Sequence, residues 1–334
     1  MRDAVMTQGE WDLREIGLSA FGGGVDWPVA VSVPARNEEQ RIKACLDAIA
    51  ASLRGRGGIV VNVNGSTDGT HRLALDWFAA TGLRGLVISD PAPPACSGVG
   101  HARELALRAS LPCLIRGGVM MTTDADGLVD AGWVDANLAE LAHGDLVCGA
   151  VSPDPDEYAA LPPEVETRGR LEGEYIALLM RLNRLMTPDA VTLDEPHRNA
   201  AGASLAFRVP LYLDLGGMPG VAEREDRIFV EKATERGWRV IYSATPRVTA
   251  SCRLDGRTPG GMAAALRARI FDADPFCDEI LEPPEILLAR LRAGTTPDPL
   301  PIAPRTRMRL SEVAEALPRL QSLVAELDRK ETHS

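Results

Sequence analysis

The sequence predicts an α/β fold in which a mostly parallel central sheet carries helices on both faces, with a helical extension at the C-terminus. Three observations predict it. Short apolar, β-branched runs alternate with stretches of helical periodicity. Loops rich in Asn, Asp and Gly follow those runs. The acidic pair Asp124 and Asp126 comes directly after the apolar run Gly118-Val119-Met120-Met121. That places it at the carboxyl end of a strand, where open α/β sheets hold ligands.

From Trp27 the alternation can be followed element by element. Val29 to Val33 reads as a strand, and Glu38 to Leu53 as a helix with Ile42, Cys45, Leu46 and Ile49 on one face. Ile59 to Val63 is a second buried strand, followed by a turn and a helix from about Thr70; Leu86 to Ser89 is a third. His101 to Ser110 is helical, and the strand ending at Asp124 follows. Beyond it, Leu146 to Val151 reads as a strand and Pro153, Pro155, Pro162 and Pro163 as a loop. Glu172 to Leu185 reads as a helix, Ala203 to Phe207 as a strand, Glu225 to Arg236 as a helix stopped at Gly237, and Arg239 to Tyr242 as a strand.

The pattern divides the chain into an N-terminal extension (1–26), an α/β domain (27–258), a helical and Pro-rich connecting segment (259–304) and a C-terminal amphipathic helix (305–334). The prolines between Thr295 and Pro304 read as a linker. Leu310, Val313, Leu317, Leu320, Val324 and Leu327 form a stripe that docks on the rest of the chain or joins a homodimer, with Pro318 expected to kink the helix. No internal repeat is visible.

Composition narrows the function. With 334 residues, 45% hydrophobic and 25% charged, the chain is an ordinary globular mixture that can bury a large core. A net charge of −11 argues against a nucleic-acid partner. Cys45, Cys96, Cys113, Cys148, Cys252 and Cys277 are scattered without a C-x-x-C pair, which fits reduced thiols in a cytoplasmic protein. Met1 to Glu15 carries four charged residues between Glu10 and Glu15 and no apolar stretch of the signal-peptide kind. No apolar run approaches the ~18 residues of a spanning helix, so membrane contact, if any, is expected to be peripheral.

Two hard oxygen ligands on one short turn suit Mg²⁺ or Mn²⁺, and such an ion suits a substrate phosphate. A calcium loop of the EF-hand type is excluded. Counted from Asp124, its positions 5, 6 and 12 require an oxygen ligand, Gly and Glu, and here hold Leu128, Val129 and Asp135. Four further clusters sit where a nucleotide site needs them: Pro34-Ala35-Arg36-Asn37-Glu38-Glu39 after the first strand, Asn62 to Thr70 after the second, Gly98 to Glu104 opening a helix, and Glu223 to Arg227 opening another. Each also has a bland reading. Asn37 is a fair N-cap, Arg103 a fair surface ion-pair partner, and acidic residues are common at helix N-termini.

The order of these clusters resembles that of the family 2 glycosyltransferases of GT-A fold, from Val29 to Arg257. The resemblance rests on VPARNEE (33–39), NGSTDGT (64–70), GHARELAL (100–107), TTDADG (122–127), HRNAAGASLAFR (197–208), YLDLGGMPG (212–220), REDRIFVEKATERGWRVIY (224–242) and VTASCRLDGR (248–257). It implies a Rossmann-like GT-A domain that moves a single sugar, with inversion, from a nucleoside-diphosphate sugar to an acceptor hydroxyl. Carried over residue by residue, Pro34, Ala35, Asn37 and Glu38 would line the nucleobase and ribose pocket, with Asn64 beside them and Arg103 near the nucleotide. Asp124 would contact ribose or metal, and Asp126 would ligate Mg²⁺ or Mn²⁺. Asp226 would be the catalytic base, with Glu225 as its neighbour. Arg253 and Arg257 would reach the diphosphate and His197 the acceptor.

The chain departs from the family at Val63, where many members carry an acidic residue that reads the nucleobase; Asn62 or Asn64 would compensate, or the donor differs. It also lacks a Q-x-x-R-W motif, which disfavours a processive synthase. A nucleotidyltransferase would show a Gly-rich, basic loop after the first strand, and this chain does not. A non-catalytic nucleotide-sugar-binding relative would have no chemical reason to keep Asp124, Asp126 and Asp226 together.

Overall fold

A computed structural model describes residues 16–91, 98–186, 197, 199–256, 260–293 and 307–331. In chain order the first part runs β1 (Gly17–Phe21), β2 (Trp27–Ala35), α1 (Ile42–Leu53), β3 (Gly57–Asn64), α2 (Thr70–Thr81), β4 (Gly85–Asp90), α3 (Val99–Ser110) and β5 (Leu114–Thr122). Then come β6 (Leu128–Val129), α4 (Trp133–Glu140), β7 (Leu146–Pro153), α5 (Pro155–Ala159), α6 (Pro163–Met186) and β8 (Leu205–Arg208). The remainder is α7 (Val209–Asp214), α8 (Glu225–Glu235), β9 (Val240–Ala250), α9 (Met262–Phe271), α10 (Pro284–Arg292) and α11 (Leu310–Glu331).

The described residues fall into two compact units. One holds the residues up to Asp154 and those from 197 to 251; the other holds 155–186, 252–256 and the residues from 260 onward. The units therefore interleave along the chain.

The first unit is built on a single sheet of strand order β1-β4-β3-β2-β5-β8-β7-β9-β6. Strands β4, β3, β2 and β5 are mutually parallel, while β8 runs against both β5 and β7. Alternation along each strand sorts side chains between two cores. Val29, Val31, Val33, Ile59, Val61 and Val63 enter a core shared with α1 and α2, whereas Trp27, Ala30, Val60, Leu86 and Ile88 enter another shared with Leu105 and Ala106 of α3. A period of two dictates this division from Val29 onward, while a register shift between Trp27 and Val29 accounts for Trp27 joining the other core, and burial on both faces explains why these strands read as unbroken apolar runs.

Helix α1 opens at Ile42, four residues later than the periodicity suggests. The backbone N–H groups of Glu38 and Glu39 instead bond across to Thr70 Oγ1 and Asp68 Oδ2. Strand β1, strand β6 and helix α4 are not foreseen from sequence. Of the eight residues of α4, Trp133, Val134 and Asn137 are the buried ones, too few to mark a periodic stripe.

The second unit is helical. Val313, Ala316, Leu320 and Val324 of α11 are buried in one cluster with Tyr175, Leu179 and Leu182 of α6. Asp328 pairs with Arg181, and Gln321 donates to Glu174 Oε1. The C-terminal stripe is thus covered by α6 of the same chain, and α11 continues through Pro318. The proposed linker between Thr295 and Pro304 lies outside the described residues.

Candidate functional site

The carboxyl ends of β2, β3, β4 and β5 bring the sequence motifs to one edge of the sheet. Register sets Ala35 beside Val63, Asn64 beside Asp90, and Ser32 beside Thr122. The loops leaving β2 and β3 are laced together by short polar contacts. Asn37 N–H donates to Ser66 Oγ at 3.0 Å, and Asn37 Oδ1 accepts the Thr67 N–H at 2.8 Å. Glu38 N–H donates to Thr70 Oγ1 at 2.7 Å, and Gly69 N–H to Glu39 Oε2 at 2.8 Å. Asn37 sits in the left-handed region with φ 54°, which Asn tolerates better than most residues. These contacts hold Pro34, Ala35, Asn37 and Glu38 in fixed positions, with Pro34, Ala35 and Glu38 buried.

The acidic turn follows β5. Ala125 is buried in the sheet core while its neighbours Asp124 and Asp126 are both half-buried. Burying the small residue between them turns the two carboxylates away from the core together. Gly127 N–H closes the turn onto Asp124 O at 3.1 Å, and Cys45 Sγ lies 3.4 Å from the same oxygen. Burial first, then the charges of Asp126, Asp124 and Glu38, push the Cys45 thiol upward, so it stays protonated and serves as a weak donor.

Arg103 of α3 is the centre of the arrangement and is almost fully buried, at 2% exposure. Its Nη2 donates to Asp124 Oδ1 at 2.8 Å and its Nε to Glu225 Oε1 at 3.1 Å. Its Nη1 donates to Thr122 Oγ1 at 2.5 Å and to the Gly202 carbonyl at 2.9 Å. The guanidinium therefore joins the acidic turn to the first turn of α8. Glu225 is pulled two ways: burial raises its carboxyl, the Arg103 charge lowers it and Asp226 raises it, with the balance at about 7.

Asp226, next in α8, is half-buried, and both its oxygens are held by backbone. Oδ2 accepts the Gly202 N–H and Oδ1 its neighbour Arg227 N–H, each at 2.7 Å. Gly202 is thus gripped on both sides, its carbonyl by Arg103 and its N–H by Asp226. A Cβ at residue 202 would lie 2.6 Å from Arg103 Nη2 and 2.7 Å from Cζ, so glycine is required for this approach. Gly100 plays a related part, since a Cβ there would meet Val221 O at 2.3 Å and Glu225 Cβ at 2.9 Å. Arg224, immediately before the acidic pair, has φ 65°, a left-handed conformation that costs a non-glycine residue on the order of 1 kcal/mol.

The remaining sequence candidates divide. His197 spends both ring nitrogens on backbone: Nε2 faces Ser243 O at 3.0 Å, and Nδ1 accepts Asn199 N–H at 3.2 Å. Burial lowers its pKa, and the ring ties residues 197 and 199 to β9. Arg103 places its guanidinium on protein partners in this structure. Arg253 folds with the second unit, and Arg257 lies outside the described residues.

Two residues that sequence reasoning passed over matter here. Val63 is buried in the sheet core, and a carboxylate stands one strand away instead, at Asp90. Asp90 Oδ2 accepts from Asn64 Nδ2 at 2.8 Å and lies 3.5 Å from Asn62 Nδ2. Glu104, buried on α3, accepts the Tyr212 hydroxyl at 2.9 Å and the Met218 N–H at 2.8 Å, and pairs with Arg108 at 2.8 Å. It anchors the segment that leads into Glu225. The only sequence signals were that Asp90 ends a strand run and that Glu104 adjoins Arg103.

Among the described residues no group of three or more His, Cys, Asp or Glu is arranged to hold a metal. The donor set that does fit a divalent cation is the half-buried oxygen pair Asp124 and Asp126. Mg²⁺ and Mn²⁺ sites of this kind complete their coordination with water and substrate phosphate.

A mostly parallel central sheet with helices around it is also the fold of solved GT-A glycosyltransferases. The chain aligns with S. aureus TarS (residues 1–349, in complex with UDP-GlcNAc) at 17% identity and TM-score 0.50, over 81% of this chain and 72% of that one. It aligns with the mannosyltransferase PcManGT from Pyrobaculum calidifontis, in complex with GDP-Man and Mn²⁺, at 20% identity and TM-score 0.50, over 93% and 82%. The fold is of the GT-A class. Of a longer TarS structure the chain covers 36%. The model of the family described as glycosyl transferase family 2 matches residues 30–191. No curated protein matches the chain.

Proposed function

We propose that this protein is a metal-dependent, inverting glycosyltransferase that moves one sugar from a nucleoside-diphosphate sugar to an acceptor hydroxyl. One observation carries the reading: the half-buried carboxylate of Asp124, which shares its turn with Asp126, is joined to the backbone-held carboxylate of Asp226 through one buried guanidinium, that of Arg103, and Gly202.

Asp124 and Asp126 would hold Mg²⁺ or Mn²⁺, whose charge would neutralise the departing diphosphate. The interlocked loops 34–39 and 64–70 would receive the nucleoside. Asn64 and Asp90 offer a polar edge to the nucleobase where Val63 offers none. Asp226, fixed by two backbone N–H donors, would take the proton from the acceptor hydroxyl as it attacks the anomeric carbon, inverting that centre. Complexes of PcManGT with GDP-Man and Mn²⁺ and of TarS with UDP-GlcNAc are consistent with this class of donor. No described helix is long and apolar enough to cross a membrane. A cytoplasmic location and an acceptor presented at a membrane surface are both compatible with that.

The test combines binding with turnover. Thermal-shift measurements with UDP, GDP, dTDP and CDP, each with and without Mn²⁺, should show a metal-dependent rise for one of them; ~100-fold excess over Kd is worth about 2.7 kcal/mol. Asp226→Asn should then lower turnover of the matching nucleotide sugar by about 10²–10⁴-fold with diphosphate affinity retained. Normal turnover in that variant would remove Asp226 from the base role.

A further inference from the structure

We infer that Arg103 is the positioning residue of the reaction: it sets the orientation of the Asp226 carboxylate through Gly202 and does not bind the nucleotide. The inference rests on the function proposed above and names a device within that site.

The geometry leaves the guanidinium little freedom. Its side chain is 3% exposed, between Asp124 on one side and Glu225 on the other. Its three nitrogens together reach four acceptors, on β5, the acidic turn, the 202 loop and α8. A planar, forked cation can serve several acceptors at fixed angles in a way that an ammonium cannot.

The path from Arg103 to Asp226 consists of two hydrogen bonds and one residue, Gly202. Arg103 Nη1 holds the Gly202 carbonyl at 2.9 Å, which fixes the plane of the following peptide unit and the setting of the short turn Gly202–Ser204. The Gly202 N–H, on the preceding peptide unit, holds Asp226 Oδ2 at 2.7 Å. Because Gly202 contributes both groups, shifting the guanidinium moves the donor that holds the carboxylate. The second constraint runs through α8: Arg103 Nε fixes Glu225, the residue next to Asp226. Gly202 is the one residue type that admits this stacking, since a Cβ would collide with the guanidinium itself.

The experiment uses the full chain, the nucleoside diphosphate found by thermal shift, and turnover of the matching nucleotide sugar, with water as acceptor where no other is known. Arg103→Lys keeps the charge but loses the fork. Gly202→Ala keeps Arg103 and displaces it. Diphosphate affinity is measured in EDTA, where it reads a direct Arg103–nucleotide contact and is blind to any cation held by Asp124. Both variants are expected to lose at least 30-fold in turnover, to shift the pH profile of turnover, and to keep metal-free diphosphate affinity within threefold. A tenfold or greater loss of metal-free affinity in Arg103→Lys would overturn the inference and make Arg103 a nucleotide ligand. Unchanged turnover and pH profile in Gly202→Ala would overturn it as well. If Arg103→Lys fails to fold, Arg103→Met/Glu225→Met removes both buried charges and is held to the same two criteria. Should the wild type bind no diphosphate, the functional reading fails instead. The positioning role is then read from a crystal structure of Gly202→Ala: an Asp226 carboxylate still on the residue 202 N–H, with Arg103 undisplaced, would overturn it.

Discussion

The two halves of the candidate site are held together by different physics. On one side, loops 37–39 and 66–70 are laced by backbone N–H groups donating to Ser, Thr and carboxylate oxygens, much of it partly exposed, with the bonds spread over several residues. On the other, a single buried cation serves Asp124, Thr122, Gly202 and Glu225 at once. The first is redundant. The second concentrates its stability in one side chain, because a charge taken out of water must be compensated locally.

The sharpest break in this comparison is Arg103→Met. It should cost about 3–5 kcal/mol, read as a fall in the denaturation midpoint, because Glu225 is left buried without its counter-charge. Arg103→Met/Glu225→Met should recover most of that loss while remaining inactive. If the double variant were no more stable than the single one, buried charge would not be what makes this side fragile.

The next effect concerns pH. The Glu225 carboxyl is raised from 4.5 to about 7, chiefly by burial. A raised carboxyl binds its proton more tightly in the folded chain. Through this group, then, stability is greatest below about 4.5, falls as pH rises, and is fully reduced above about 7. The difference in melting temperature between wild type and Glu225→Gln should therefore change in the variant's favour across that window. A constant difference from pH 4 to 8 would place the ionisation elsewhere.

Glu104→Ala tests a satisfied buried network that contains a charge but no catalytic group. It orphans the Tyr212 hydroxyl and the Met218 N–H, and should cost about 2–3 kcal/mol. Smallest of all should be the laced loops. Thr70→Val and Ser66→Ala each remove one acceptor and should cost about 1 kcal/mol or less by chemical denaturation, with diphosphate binding kept. A loss as large as that of Arg103→Met would show that the loops are not redundant.

Local pattern made much of this molecule legible. Apolar runs with period-two sorting mark β2 to β5, and helical periodicity marks the core of α1 and α3. The turn at Asp124 to Gly127 and the acidic pair at α8 were visible for the same reason: their chemistry lies in adjacent residues. Helix α4 and strand β6 were not, because an eight-residue helix with three buried residues, or a two-residue strand, carries too short a pattern to separate from loop. The C-terminal stripe announced that it would be covered but not by what; α6 covers it, and only packing of the folded chain could decide that.

By itself, then, the sequence determined the strand-and-helix alternation, the acidic turn beyond β5 and the family resemblance, since each depends on residues within a few positions of one another. Tertiary structure decided what those residues do together. Arg103, 122 positions from Glu225 and 99 from Gly202, reads in sequence as an arm toward a nucleotide and in the fold is a buried clamp. Asp90 meets Asn62 and Asn64 because β3 and β4 lie in register, and His197 bonds to the backbone of β9. Periodicity and motif report what a residue's immediate neighbours require. Which distant groups must share a buried charge is decided only when the sheet has closed around them.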